Sequence, residues 1–190
     1  MSASIDQYNQ FLRSLTATRV GTYFDDPGVA VEDVPESELR DVYGSWVAMI
    51  MVAGNSLKTT LKAHFQSRPV REVMKRRNGE EGDIPSARIH DFIKELLNLC
   101  AGQLKVELER GHSDAGISLP LLLSGIDELF YSSSRESRHV IDQWTIVSPA
   151  HQVRIVFSHD TEILDERAIE SLELSDPRAA QEAEGDMDLL

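Results

Sequence analysis

The sequence predicts an α+β domain, a mainly antiparallel sheet packed with long helices. Three observations carry the prediction. Two pairs of strand-like segments are each joined by a short turn signal, near 46–63 and 140–158. Long segments of helical period lie at 5–15 and 86–108. Strands paired locally and alternating with helices make an antiparallel sheet with helices laid against it.

Ile5, Tyr8, Phe11, Leu12 and Leu15 recur every three or four residues, which predicts an amphipathic helix over 4–18. Residues 25–41 read as an acidic connector, opened by the turn signal Asp25-Asp26-Pro27-Gly28. From 46 to 52 the chain is apolar on both faces, as expected of an interior strand. Asn55-Ser56 turns it into a second strand, where Leu57, Thr59, Leu61 and Ala63 alternate with other side chains. Pro69 suits the first turn of a helix whose apolar face is Val70, Val73 and Met74. Its end carries Lys75-Arg76-Arg77, where cations complement the helix dipole and are also able to touch an acidic partner.

Ser86 is the expected N-cap of the longest helix, which runs to about Leu108. Residues 111–116 break the pattern, and 117–123 form a short apolar strand interrupted by Pro120, hence an edge or bulge position. Ser132-Ser133-Ser134 marks a loop. Residues 140–147 and 152–158 are two strands joined by the hairpin signal Ser148-Pro149-Ala150-His151. Residues 1–165 are thus read as one domain, and 166–190 as an acidic tail without an apolar face, expected to be disordered.

Composition narrows the function classes. Net charge is −13 over 190 residues with no basic stripe, so nucleic acid and anionic membrane are not expected partners. The longest apolar run falls far short of the roughly 20 residues of a membrane helix, and the N-terminus has no secretory pattern, so a cytoplasmic location is expected. The single cysteine, Cys100, sits in an apolar helical pattern as a buried thiol. The six histidines show no metal-ligand spacing, and no Gly-x-Ser-x-Gly elbow or phosphate-binding glycine loop is present.

One constellation carries chemistry. On the long helix, Ile89, Phe92, Ile93, Leu96, Leu99, Cys100 and Leu104 are expected to form the buried face. Asp91, Glu95, Asn98, Gly102 and Lys105 form an outward stripe within about 80° of one another. A solvated helix face explains the charges. It does not explain Asn98, which competes for backbone hydrogen bonds mid-helix, or Gly102, which costs roughly 1 kcal/mol against Ala. Both fit a face that something must approach closely.

Asp91-x-x-x-Glu95-x-x-Asn98 resembles the [Ser/Asp]-x-x-x-Glu-x-x-Asn signature of the CheC/CheX phosphatases of bacterial chemotaxis. The flank through Gly102 and Lys105, and the strand at 117–120 followed by Gly125, resemble that family too. The resemblance implies a CheX-like fold and a phosphatase acting on the aspartyl phosphate of a CheY-like response regulator. It implies Glu95 and Asn98 as catalytic residues, with Asp91, Gly102 and Lys105 meeting the partner. No cofactor of its own is implied, since Mg²⁺ belongs to the partner's pocket. A single motif, against two in CheC-type members, implies the CheX type, a homodimer joined through its sheets. Ser2-x-x-x-Asp6-x-x-Asn9 is only an echo, lacking the glutamate. The competing expectation is a non-catalytic adaptor that keeps the fold and docks a receiver domain.

Overall fold

The computed structural model describes residues 3–34, 46–111, 114–125, 139–165 and Leu174. The expected loop at 132–134, the connector at 35–41 and nearly all of the tail lie outside the described residues. Helix α1 spans Ala3–Phe24, strand β1 Ala30–Asp33, β2 Trp46–Gly54 and β3 Leu57–Phe65. Helix α2 follows at Ser67–Asn78 and α3 at Ser86–Arg110. Strands β4 Ala115–Ile117, β5 Leu121–Ser124, β6 His139–Ser148 and β7 Val153–Ile163 complete the described chain. The architecture is α+β, as the sequence predicts: three helices and a seven-stranded sheet among the described residues, every pairing antiparallel.

The sheet order is β1-β6-β7-β3-β2-β4, with β5 also paired to β2. The two expected hairpins form its centre. β2 is interior, flanked by β3 on one side and by β4 and β5 on the other. The break between β4 and β5 falls where Pro120 lacks an N–H. Ser118 bridges the gap: its N–H donates to the Met51 carbonyl at 2.9 Å, and its Oγ accepts from the Met51 N–H at 3.0 Å.

Alternation sends Ala48, Ile50 and Val52 of β2, Leu57, Leu61 and Phe65 of β3, Trp144 and Ile146 of β6, and Ile155 and Phe157 of β7 into one core. The helices add Tyr8, Leu12, Leu15, Val70, Val73, Ile93, Leu96 and Leu97 to it. Burying each large aliphatic side chain is worth about 1.5–3 kcal/mol, so this face fixes the helices against the sheet.

Three local expectations differ. α1 continues past residue 18 to Phe24, because Val20 and Phe24 extend its buried stripe. Within the expected connector, Ala30–Asp33 pairs with β6 as an exposed edge strand. Its acidic side chains are held from outside, Glu32 by Arg154 at 3.1 Å and Asp33 by Arg13 at 2.8 Å. Finally, Ser86 begins α3 as its first residue rather than capping it. Pro85 occupies the N-cap and no side chain caps the helix. Helix α2 ends where predicted chemistry allows, at Gly79 in the left-handed region (φ 63°), whose N–H donates to the Lys75 carbonyl.

α1 is locked to the sheet by a buried polar chain. Nε2–H of His159 donates to Asn9 Oδ1 at 3.0 Å, so its Nδ1 accepts from the Thr161 hydroxyl at 2.9 Å. Thr161 then accepts from Thr59 at 2.8 Å, and Thr59 from Tyr8 at 2.6 Å. Asn9 of the motif echo is thereby committed to structure. Burial disfavours the imidazolium and, despite the pull of Asp142 and Asp160, brings the His159 pKa down to about 4.

Candidate functional site

Helix α3 has one wet face. It packs on α1, α2 and β2, which leaves Asp91 and Glu95 exposed and Asn98, Gly102 and Lys105 partly so. These are the five residues of the predicted stripe, and α3 brings them onto one surface. Asn98 Nδ2 donates to Glu95 Oε2 at 3.3 Å, so the carboxamide and the carboxylate already face one another one turn apart. Asp91 Oδ1 is held by Lys94 Nζ at 2.6 Å, and Lys105 Nζ by Glu109 Oε1 at 3.4 Å. Both of these pairs are solvent-exposed, so they are worth little and are readily exchanged.

Gly102 is the informative member. A Cβ built on it meets no atom within 4 Å, so the fold places no demand for glycine there. A helix interior with room for alanine but occupied by glycine is less stable than it need be. The empty space lies on the outer surface, one turn from Asn98.

Leu99 departs from expectation. Its spacing predicts a place in the buried face, but 37% of it is exposed. At 100° per residue it points about 80° from Asp91, just outside the arc that α1 and the sheet cover. Leu97 and Ala101, on the far side of the arc, are fully buried in its stead. Leu99 and the exposed Val106 therefore run as an apolar line beside Glu95 and Gly102.

On that same side lies an aromatic stack that spacing alone does not reveal. The Tyr23 ring packs on Phe92 with centroids 4.5 Å apart, and the Arg77 guanidinium sits 4.6 Å above Tyr23 and 5.8 Å from Phe92. Arg77 Nη1 donates to the Tyr23 carbonyl at 2.9 Å. The Tyr23 phenol is raised by burial; Arg77 opposes that rise, and the nearby Glu95 carboxylate reinforces it. Tyr23, Arg77 and Glu95 thus belong to one electrostatic neighbourhood, although they come from three helices. On the opposite flank His90 stacks on Trp46 at 4.5 Å, its pKa lowered by burial and by Lys94.

Nucleophilic chemistry has no support at Cys100, which is fully buried and whose thiol burial pushes up to about 12. Among the described residues, no group of three His, Cys, Asp or Glu side chains is arranged to hold a metal ion. No described helix is long and apolar enough to cross a membrane.

No family model matches the chain, and no curated protein does. Solved structures do. A chain of the CheX–CheY–BeF₃–Mg²⁺ complex from Borrelia burgdorferi superposes with a TM-score of 0.59 at 12% identity, over 80% of this chain and 96% of that one. The chain has a CheX/CheC-like fold. CheX from Vibrio vulnificus matches with a TM-score of 0.59 at 18% identity, over 85% of this chain and all of that one. A CheC-like superfamily protein from Shewanella sp. PV-4 matches with a TM-score of 0.57 at 18% identity, covering 85% and 99% respectively. The CheX/CheC-like fold thus spans most of the chain.

Proposed function

We propose that the protein removes the phosphoryl group from the aspartyl phosphate of a CheY-like response regulator. The observation that carries the reading is the pair of exposed Glu95 and partly exposed Asn98, one turn apart and 3.3 Å from each other, beside a glycine the fold does not need. The likeness to a chain from a CheX–CheY complex supports a receiver domain as the partner.

The chemistry asks for little more than this. Phosphoryl transfer is catalysed mostly by positioning and electrostatics, and the receiver's own pocket supplies Mg²⁺, a lysine and the phosphorylated aspartate. What self-hydrolysis lacks is a water held in line with phosphorus. Asn98 carries both donor and acceptor, so on docking it exchanges Glu95 for that water and orients it. Glu95, released, pairs with the receiver's lysine and fixes the register. Asp91 and Lys105 exchange their exposed partners for groups on the receiver. Gly102 lets the receiver's backbone approach the helix.

The reading includes a cytoplasmic location and a homodimer. The β4–β5 edge supports the latter, since Ile117, Leu119 and Leu121 stand 39%, 83% and 58% exposed there. Apolar side chains on an open sheet edge invite pairing with a second copy. The experiment is to incubate the protein with the phosphorylated receiver domains of its own genome and time phosphate release. One receiver should lose phosphate far faster than it does alone. Binding without acceleration of any receiver would make the protein an adaptor instead.

A further inference from the structure

We propose that Arg77 is a second docking contact, taking an acidic surface group of the phosphorylated receiver beside Glu95. The inference rests on the reading of α3 as the docking helix and adds α2 to it.

Geometry is the first ground. Arg77 is exposed, yet it is held in place by the Tyr23 ring at 4.6 Å and by the Tyr23 carbonyl at 2.9 Å. Tyr23 rests on Phe92, which lies about 60° from Glu95 around α3, on the side of Leu99. The guanidinium therefore stands at the margin of the outward stripe, on the side of Leu99. A preordered arginine loses less freedom on binding than a waving one. It has five donors in a planar fork, and Tyr23 engages it through its carbonyl and its phenol, which leaves donors able to meet a carboxylate.

Charge is the second ground. The molecule carries −13 overall, yet the last turn of α2 is Lys75, Arg76 and Arg77 in succession. A divalent cation in a receiver's phosphorylation pocket takes oxygen ligands, so acidic groups stand beside the phosphorylated aspartate. To such acidic groups Asp91 and Glu95 offer like charge, and Lys105, the stripe's one cation, lies nearly three turns beyond Glu95. Arg77 at the margin of the same face corrects the mismatch and selects for receivers with a carboxylate at the matching point.

The test uses a receiver that the wild-type protein turns over, phosphorylated with a small-molecule phosphodonor, and measures kcat and KM at low and high salt. Arg77→Ala should raise KM about tenfold, keep kcat within about twofold, and flatten the dependence of KM on salt. Arg77→Lys keeps the charge but loses the stacked planar fork, so it should restore the salt dependence of KM while recovering only part of the lost KM. Asn98→Ala, in the same assay, should lower kcat and leave KM in place. An unchanged KM in Arg77→Ala, with wild-type turnover intact, overturns the inference alone. So does an Arg77→Lys variant whose KM is as insensitive to salt as that of Arg77→Ala, since a restored charge would then count for nothing and Arg77 would act only by bracing Tyr23. Absence of turnover by the wild type on every receiver overturns the phosphatase reading, and absence of receiver binding as well overturns the docking role of α3 and this inference with it.

Discussion

Gly102 shows how a single residue separates stability from use. A Cβ there meets nothing within 4 Å, so Gly102→Ala should gain the helix propensity that glycine forgoes, about 0.5–1 kcal/mol, or a few degrees in melting temperature. The same methyl group projects into the space the partner's backbone would use. Thermal melts and phosphatase assays on this variant should therefore move in opposite directions, with stability up and KM worse. A variant both more stable and equally efficient would remove the proposed role of Gly102. Residues of this kind were legible from sequence because period and composition disagree at them: Asn98 and Gly102 are poor choices for a helix face. Leu99 was misplaced for the converse reason. Its type fits a core, and only the actual arc covered by α1 and β2 shows that it lies outside.

At the scale of elements, the buried chain from Asn9 through His159, Thr161 and Thr59 to Tyr8 ties α1 to β7 and β3. It also makes that tie sensitive to acid. His159 has a folded pKa of about 4 against roughly 6.5 when unfolded, so above neutrality both states are uncharged and pH has no effect through it. As pH falls through 6.5 the unfolded chain takes up a proton that the folded one refuses, and stability drops until about pH 4. The loss from this one group is of order 3 kcal/mol, readable as a fall in denaturant midpoint between pH 7 and 4.5. His159→Gln should flatten that slope, and a slope unchanged by the substitution would place the acid sensitivity elsewhere. Sequence gave no access to this network, because its members are separated by up to 150 residues and only the register of β3 with β7 aligns them. β1 was equally hidden. Two acidic residues in four look like a loop until Arg13 and Arg154 are seen to hold them.

For the molecule as a whole, hairpins and helices were legible because their periods are local, whereas the arrangement of α1, α2 and α3 around one stripe is not. In sequence Arg77 is a helix-end cation able to touch an acidic partner, and only Tyr23 and Phe92 place it near Glu95. The proposed homodimer belongs to this scale too. Light scattering at micromolar concentration should return twice the chain mass of 21.3 kDa, and a charged substitution at the most exposed edge residue, Leu119→Lys, should halve it. A monomer mass for the wild type would refute the assembly without touching the site. The measurement that reaches the central claim most directly is phosphate release from a phosphorylated receiver by wild type and Asn98→Ala side by side. Losing one preorganised polar group of this kind should slow turnover by about 10²–10³ while binding to the receiver is retained. Wild-type turnover persisting in Asn98→Ala would contradict the account.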